Sequence, residues 1–366
     1  MDMQTRGEWF RSDEMTFSAG GKKTFDLSFL HAARGKYEYP VIDQLEIVGD
    51  LNVGDATSAA LAGEDGKRML DRVLIRDGAG VRCNLTGAMV GEVEQLEFGG
   101  AYNGPATLAE STTDSDYEVS WRIPFNIPNL ARRGNDTSLP LGHLLRGGRV
   151  EVTMANSVNG TANYVNSGNL HLRALVRDDG RPEAKSRLVW DFLDVEKADT
   201  TYSINGLLRA LWFSFQDEDG SGLNDASTIT ELDSKTLDIY DRLVSDHIND
   251  YRAVQRDRDA GDLFLQAATA RNIPIVWPYE GQAMGRMLDI AAIHLKQDVS
   301  PITDQKLVFC KIEDRDARLT AAHFNMSEDA YLDAIRNGVV VSAKGKHAPV
   351  GLVGEALANK LPLRLA

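Results

Sequence analysis

The densest set of metal-type ligands in this chain is Asp217-Glu218-Asp219-Gly220-Ser221-Gly222, followed by Asn224 and Asp225. Calcium takes roughly six to eight oxygens, and an EF-hand loop closes with a bidentate Glu at its twelfth position. Counting from Asp217, the twelfth position is Thr228, and the next acid, Glu231, comes too late. The stretch reads as a solvated turn. The histidines are His31, His143, His171, His247, His294, His323 and His347, and none has a His or Cys partner at metal-ligand spacing. His171 and His294 lie in strand-like runs, where a hydrogen-bonded structural role is expected. Gly78-Ala79-Gly80 lacks the third Gly of a dinucleotide fingerprint, and no Gly-Lys-Ser/Thr sequence occurs. There is no Gly-x-Ser-x-Gly elbow to present a nucleophile. Carboxylates are plentiful, but no spacing marks a glycosidase pair. The sequence therefore predicts no catalytic, cofactor-binding or metal residues, and no cofactor.

What remains is architecture. A chain of 366 residues exceeds one ordinary core, so about two domains are expected. Hydrophobic content of 43% and charged content of 26% describe a globular protein. A formal net charge of −14 argues against broad neutralisation of phosphate, and the Arg and Lys residues are interspersed with acids. Cys83 and Cys310 each sit in an apolar strand-like run, which predicts two buried free thiols. No run reaches the ~18 apolar residues of a membrane span. The opening MDMQTRGEWFRSDEM lacks the apolar core of a signal peptide, so synthesis and retention in a cytoplasm are expected.

The organising stretch is Trp121 to Met154. A strand over Val119 to Phe125 is stopped by Pro124 and Pro128, since proline cannot donate to a ladder. A polar loop, the apolar clamp Leu139-Pro140-Leu141 with Leu144-Leu145, and a Gly147-Gly148 turn lead to a second strand, Arg149 to Met154. This predicts a sandwich strand crossing to its partner sheet through a packed corner. The second half restates the first in one order. Ile273-Pro274-Ile275 answers Ile123-Pro124-Phe125, 150 positions on (274 − 124). Leu288 to Leu295 answers Val150 to Met154, and Lys306 to Ile312 answers Leu170 to Val176. Three matched elements suggest a tandem duplication of an antiparallel sandwich.

Elsewhere, Leu188 to Leu193 is expected to close the first half, Val90 to Phe98 to be a short helix, and Asp238 to Val254 to be helical. Ala101 to Asp116 and Gly160 to Gly168 read as long loops. Ser327 caps a helix ending near Gly338, Val339 to Val341 is strand-like, and Gly351 to Ala366 is an amphipathic tail.

Ile123-Pro124-Phe125, then Leu139-Pro140-Leu141, Leu144 and Val150-Glu151-Val152 resemble the signature of double jelly-roll major capsid proteins of tailless icosahedral, tectivirus-like phages. The second copy departs from it, since no Leu-Pro-Leu follows Ile275. The resemblance implies an all-β fold with short helices, built as two tandem eight-stranded jelly-roll β-sandwiches. It also implies no catalytic residues. The expected division is an N-terminal arm (1–23), a first roll (24–200), a second roll (201–345) and a C-terminal tail (346–366). The implied function is a major capsid subunit whose homotrimers are pseudo-hexameric tiles of a virion shell. Implied partners are copies of itself, vertex (penton) and minor capsid proteins, and an internal membrane or genome met through the arm with Trp9, Phe10, Lys22 and Lys23. The competing reading is a receptor- or carbohydrate-binding β-sandwich of viral spike type.

Overall fold

The computed structural model describes residues 7–54, 61–78, 80–98, 107–108, 115–126, 137–156, 164–179, 187–215, 228–254, 272–277, 288–301 and 304–313. The acidic stretch 217–225, His323, His347, the helix and strand expected over 327–341 and the tail 346–366 lie outside the described residues.

The first half forms two facing sheets. One contains β1 (Glu8–Arg11), β2 (Met15–Ser18), β4 (Pro40–Gly54), β9 (Ser115–Pro124), β10 (Leu139–Pro140) and β12 (Tyr164–Asp178). Its order is β1 and β2 end to end on β12, then β4, then β9, with β10 also on β4. The other runs β3 (Lys22–Thr24), β11 (Arg149–Met154), β6 (Leu70–Asp77), β7 (Gly80–Leu85). Two short strands, β5 (Leu61–Ala62) and β8 (Thr107–Leu108), pair apart from both. Alternation drives the closure: along β12, Leu170, Leu172, Ala174 and Val176 are buried between the sheets, while Arg173, Leu175 and Arg177 lie on the other face, half-exposed. If β1 with β2 is counted as the first position and β12 as the eighth, one sheet holds positions one, eight, three and six. The facing sheet holds two, seven, four and five. That is jelly-roll topology.

The second half repeats it. The strands are β13 (Arg187–Asp194), β14 (Asp199–Phe215), β15 (Glu231–Ser234), β16 (Ile239–Leu243), β17 (Asn272–Pro274), β18 (Leu288–Gln297) and β19 (Gln305–Glu313). One sheet runs β13, β19, the second half of β14, β17. The other runs the first half of β14, β18, β15, β16. So β14 supplies positions two and three without a break. The switch falls at Gly206, between register shifts on both partner strands. Its φ is +131°, and a Cβ there would lie 2.8 Å from the Ile312 carbonyl oxygen, so glycine is required. The three matched sequence segments occupy matched positions: β9 and β17 are sixth, β11 and β18 seventh, β12 and β19 eighth.

Among the described residues the α-helices are α1 (Leu30–Lys36), α2 (Gly87–Phe98), α3 (Leu141–Leu145) and α4 (Val244–Val254). In each roll a helix follows position five, α2 after β7 and α4 after β16. Among the described residues, no helix is long and apolar enough to cross a membrane.

Several elements differ from the sequence expectation. Leu188 to Leu193 does not close the first half; β13 pairs with β19 along all its length and touches β7 at one parallel position, Trp190 with Cys83. The described part of the N-terminal arm is stitched into both sheets of the first roll. Residues 238–254 hold a strand before the helix, because Ile239 fills the core from an edge position. Tyr164 to Gly168, expected in a loop, belongs to β12. Helix α2 begins at Gly87, three residues earlier than expected.

Candidate functional site

Side chains that carry polar chemistry concentrate at the seam between the rolls, and α2 is its centre. A helix on a protein surface buries one stripe. Here Met89, Val90, Val93 and Leu96 are buried, but so are Glu92, Glu94 and Gln95. By spacing, Glu92 lies roughly opposite Glu94 on the helix, while Glu97, three residues after Glu94, lies between the two directions.

Glu94 turns into the first roll. It accepts hydrogen bonds from Lys67 Nζ at 3.0 and 2.9 Å and from the Arg122 amide at 2.6 Å. Lys67 also donates to the Ser120 carbonyl, and its own carbonyl accepts Trp121 Nε1 at 2.9 Å. Burial pushes the Glu94 carboxyl up and the Lys67 ammonium down, and each partner opposes the other's shift. Glu92 and Glu97 face the second roll. Glu92 accepts Trp212 Nε1 at 2.7 Å and Ser214 Oγ at 2.6 Å, both from β14. Glu97 takes both terminal nitrogens of Arg209, one at 2.8 Å. Burial works against the Arg209 charge, but Glu97 and the neighbouring Cys310 hold its pKa above the usual guanidinium value.

A second set of contacts flanks the β7–β13 junction. Trp190 Nε1 donates to the Pro124 carbonyl at 3.0 Å, and Asn84 Nδ2 donates to Asp191 Oδ1 at 2.7 Å. Arg187 reaches the Val81 carbonyl at 2.8 Å, lies 3.6 Å from Asp77 and pairs with Glu313. Asp77 in turn pairs with the fully buried Arg82 at 2.5 Å. Cys83 and Cys310 flank Trp190 on the two neighbouring strands, and both thiols are buried. Burial raises both, Cys310 to about 12, which leaves them protonated and unreactive. Buried ion pairs of this kind gain little net stability over apolar replacements, but removing one partner leaves an uncompensated buried charge.

The packed corner read from the sequence is present, and its hub is Asp43 of β4. The Asp43 carboxylate accepts from Ser138 Oγ at 2.7 Å, Asn126 Nδ2 at 3.1 Å and Arg177 Nε at 2.8 Å. Burial raises its pKa against these partners. Phe125, Leu139, Leu141 and Leu144 are all buried beside it, and the chain does pass from one sheet to the other, β9 to β11.

The histidines are scattered. His171 lies on the outer face of β12, with burial drawing its pKa down. His247 is fully buried and accepts the Val276 amide at Nδ1, 2.9 Å away; burial lowers it to about 4. His294 Nε2 sits 2.7 Å from Asp199, exposed. His31 on α1 is exposed, and His143 on α3 is half-buried. Among the described residues, no group of three or more His, Cys, Asp or Glu is placed to hold a metal ion. Sequence reasoning missed Asp43, Lys67, Glu92, Glu94, Glu97 and Arg209. The one available signal was the run Gly-Ala-Met-Val-Gly-Glu-Val-Glu-Gln-Leu-Glu-Phe, whose acids are interleaved with apolar residues on every side.

No protein-family model matches the chain, and no curated protein matches it by sequence. Solved structures do match it. The chain is similar to PBCV-1 VP54, in a crystal structure fitted into a reconstruction of the virophage Sputnik: TM-score 0.51, 10% identity, 85% of this chain and 95% of that one. The quasi-atomic model of the PBCV-1 virus capsid gives TM-score 0.51 at 10% identity, covering 86% of this chain and 94% of that one. The major capsid protein P2 of bacteriophage PM2 gives TM-score 0.42 at 9% identity, covering 85% and 99%. With the PBCV-1 structures this chain shares its fold over most of its own length.

Proposed function

We propose that the chain is a structural protein, the major capsid subunit of a tailless icosahedral virus, located in the virion shell. The observation that carries the reading is the duplicated roll locked by a polar seam, in the fold also found in the PBCV-1 capsid. A shell tile must hold its shape while neighbours load its edges. Two eight-stranded units fixed by Glu92, Glu97, Arg187 and Trp190 supply that rigidity. The pseudo-equivalence of the rolls suits a homotrimer that offers six similar corners, and such trimers would tile through broad contacts, each weak and many in number.

Within this reading the arm, the two rolls and the tail keep their expected roles, and the pairing of β13 with β19 supports a junction before Arg187 in place of the one expected at 200. Vertex and minor capsid proteins are the further partners. The exposed Trp9, Lys22 and Lys23 are what the arm offers to a membrane or genome. Against the reading as a carbohydrate- or receptor-binding module, Trp121, Trp190, Trp212 and Trp277 are buried, so no cluster of tryptophans forms a sugar platform among the described residues. Negative-stain imaging of the purified protein tests the proposal. Particles of hexagonal outline support it, and uniformly small, monomer-sized particles at every concentration overturn it.

A further inference from the structure

The internal repeat provides a control for surface charge. Residues directly opposite one another in a sheet share a face, so rows of side chains can be compared between the rolls. Across positions two, seven and four of the second roll, one outward row is Asp199, Lys296 and Asp233, each charge facing its opposite. Across the same positions of the first roll, a row reads Lys22, Thr153 and Arg72, a cation on each side of a neutral residue. The fold does not require those cations.

Two residues along, the row is Thr24, Glu151 and Leu74, and two beyond that Arg149 stands directly opposite Arg76. Like charges so placed oppose pairing instead of supporting it. Glu151 is the one acid on these rows, and it is already taken. Lys22 and Arg149 pair with it at 2.5 and 2.6 Å, and its side chain is only 5% exposed. Lys22, then Arg149 and Arg76, hold its carboxyl below the usual range against burial. Arg72 gives its Nε to Asn84 Oδ1 at 2.8 Å, and Arg76 makes no hydrogen bond or ion pair among the described residues. All four cations are exposed, Lys22 at 62% and Arg149 at 49%. Four cations against one carboxylate leave this face at +3, on a chain of net charge −14.

The patch has the size of a short peptide. From β3 to β6 is two strand spacings, about 10 Å, and from Arg149 to Thr153 is four residues, about 13 Å. Duplex nucleic acid brings roughly eight phosphate charges over that length, more than the patch can answer, and the rest of the acidic chain repels them. An extended peptide sets residues i and i+4 on one face at the same separation. One carboxylate can then lie between Arg76 and Arg149, whose guanidinium forks suit it, and the next beside Lys22 and Arg72.

We propose that the outer face of β3, β11 and β6 is the docking surface for an extended acidic segment of another protein, with two carboxylates four residues apart. The surface belongs to a single chain, so the inference goes beyond the capsid reading and does not depend on it.

The test is fluorescence anisotropy of the full chain with two labelled peptides of one composition. Thr-Asp-Thr-Ser-Thr-Asp-Thr sets its acids four residues apart, and Thr-Asp-Thr-Ser-Asp-Thr-Thr sets them three apart, on opposite faces. The first peptide is expected to bind at low salt and to be released as salt rises, and the second to bind more weakly. Arg76→Ser/Arg149→Ser is expected to weaken binding of the first peptide roughly 10-fold, with circular dichroism unchanged. Lys197→Ser/Lys235→Ser removes two exposed cations from the second roll and is expected to leave that binding as it was. Absence of binding at low salt, equal binding of both peptides, or equal loss in both variants overturns the inference. A labelled duplex DNA held more tightly than the first peptide overturns it too.

Discussion

At the scale of residues, the Lys67–Glu94 pair sets the desolvation of two ions against their mutual attraction. Each ion loses its hydration, and each recovers it from the other and from main-chain groups of β9. Lys67→Met leaves Glu94 buried without its cation and is expected to cost about 3–5 kcal/mol. The double variant Lys67→Met/Glu94→Leu should recover most of that loss; urea titrations of the four proteins in the cycle measure it. A double variant as weak as the single one would show that the pair contributes more than mutual neutralisation. His247 gives a pH signature. Burial, then the nearby Arg242, keep its ring neutral in the fold down to about pH 4, while the unfolded ring takes its proton near 6.5. Between those values the unfolded chain binds more protons, so stability falls as pH falls through that window, by on the order of 3 kcal/mol in all. His247→Gln should flatten the curve of urea midpoint against pH between 6.5 and 4, and a curve parallel to the parent's would contradict the assignment. The burial of Cys83 and Cys310 was legible from the apolar runs around them. The partners of Glu92 and Glu97 were not, because they lie 112 to 122 positions away and sequence spacing carries no information about that distance.

At the scale of elements, the repeat was legible where strands end in marked residues. Ile-Pro closes the sixth position in both rolls, and the alternating runs at the seventh and eighth positions fall in register with it. Positions one to three were harder. The first roll splits its first position into β1 and β2, four-residue strands set in a mostly polar stretch that reads as a loose arm; pairing with β12 organises them. The second roll fuses positions two and three into β14, so no turn residue marks the boundary except Gly206. Gly206→Ala forces a Cβ against the Ile312 carbonyl at a left-handed φ and is expected to cost about 1–3 kcal/mol, read as a lower melting temperature. A neutral substitution there would mean the switch between sheets lies elsewhere. The start of α2 was missed because Gly87 reads as a breaker. Its Cβ position is taken by the Lys67 and Leu70 carbonyls, so close packing selects the glycine.

At the scale of the molecule, the two rolls share one continuous sheet and a set of buried ion pairs that join them. The seam predicts that the rolls melt together: a single calorimetric transition is expected, and two separated transitions would show that the lock is weak. The division into two sandwiches was legible in length, repeat and the Leu-Pro-Leu corner. The seam itself was not, since it depends on one helix wedged between units that the sequence presents in series. The most direct test of the account is the mass of the purified full chain by light scattering across a concentration series. The account predicts a stable species of three chains, three times 40.2 kDa. A species of one chain that persists at every concentration would contradict it.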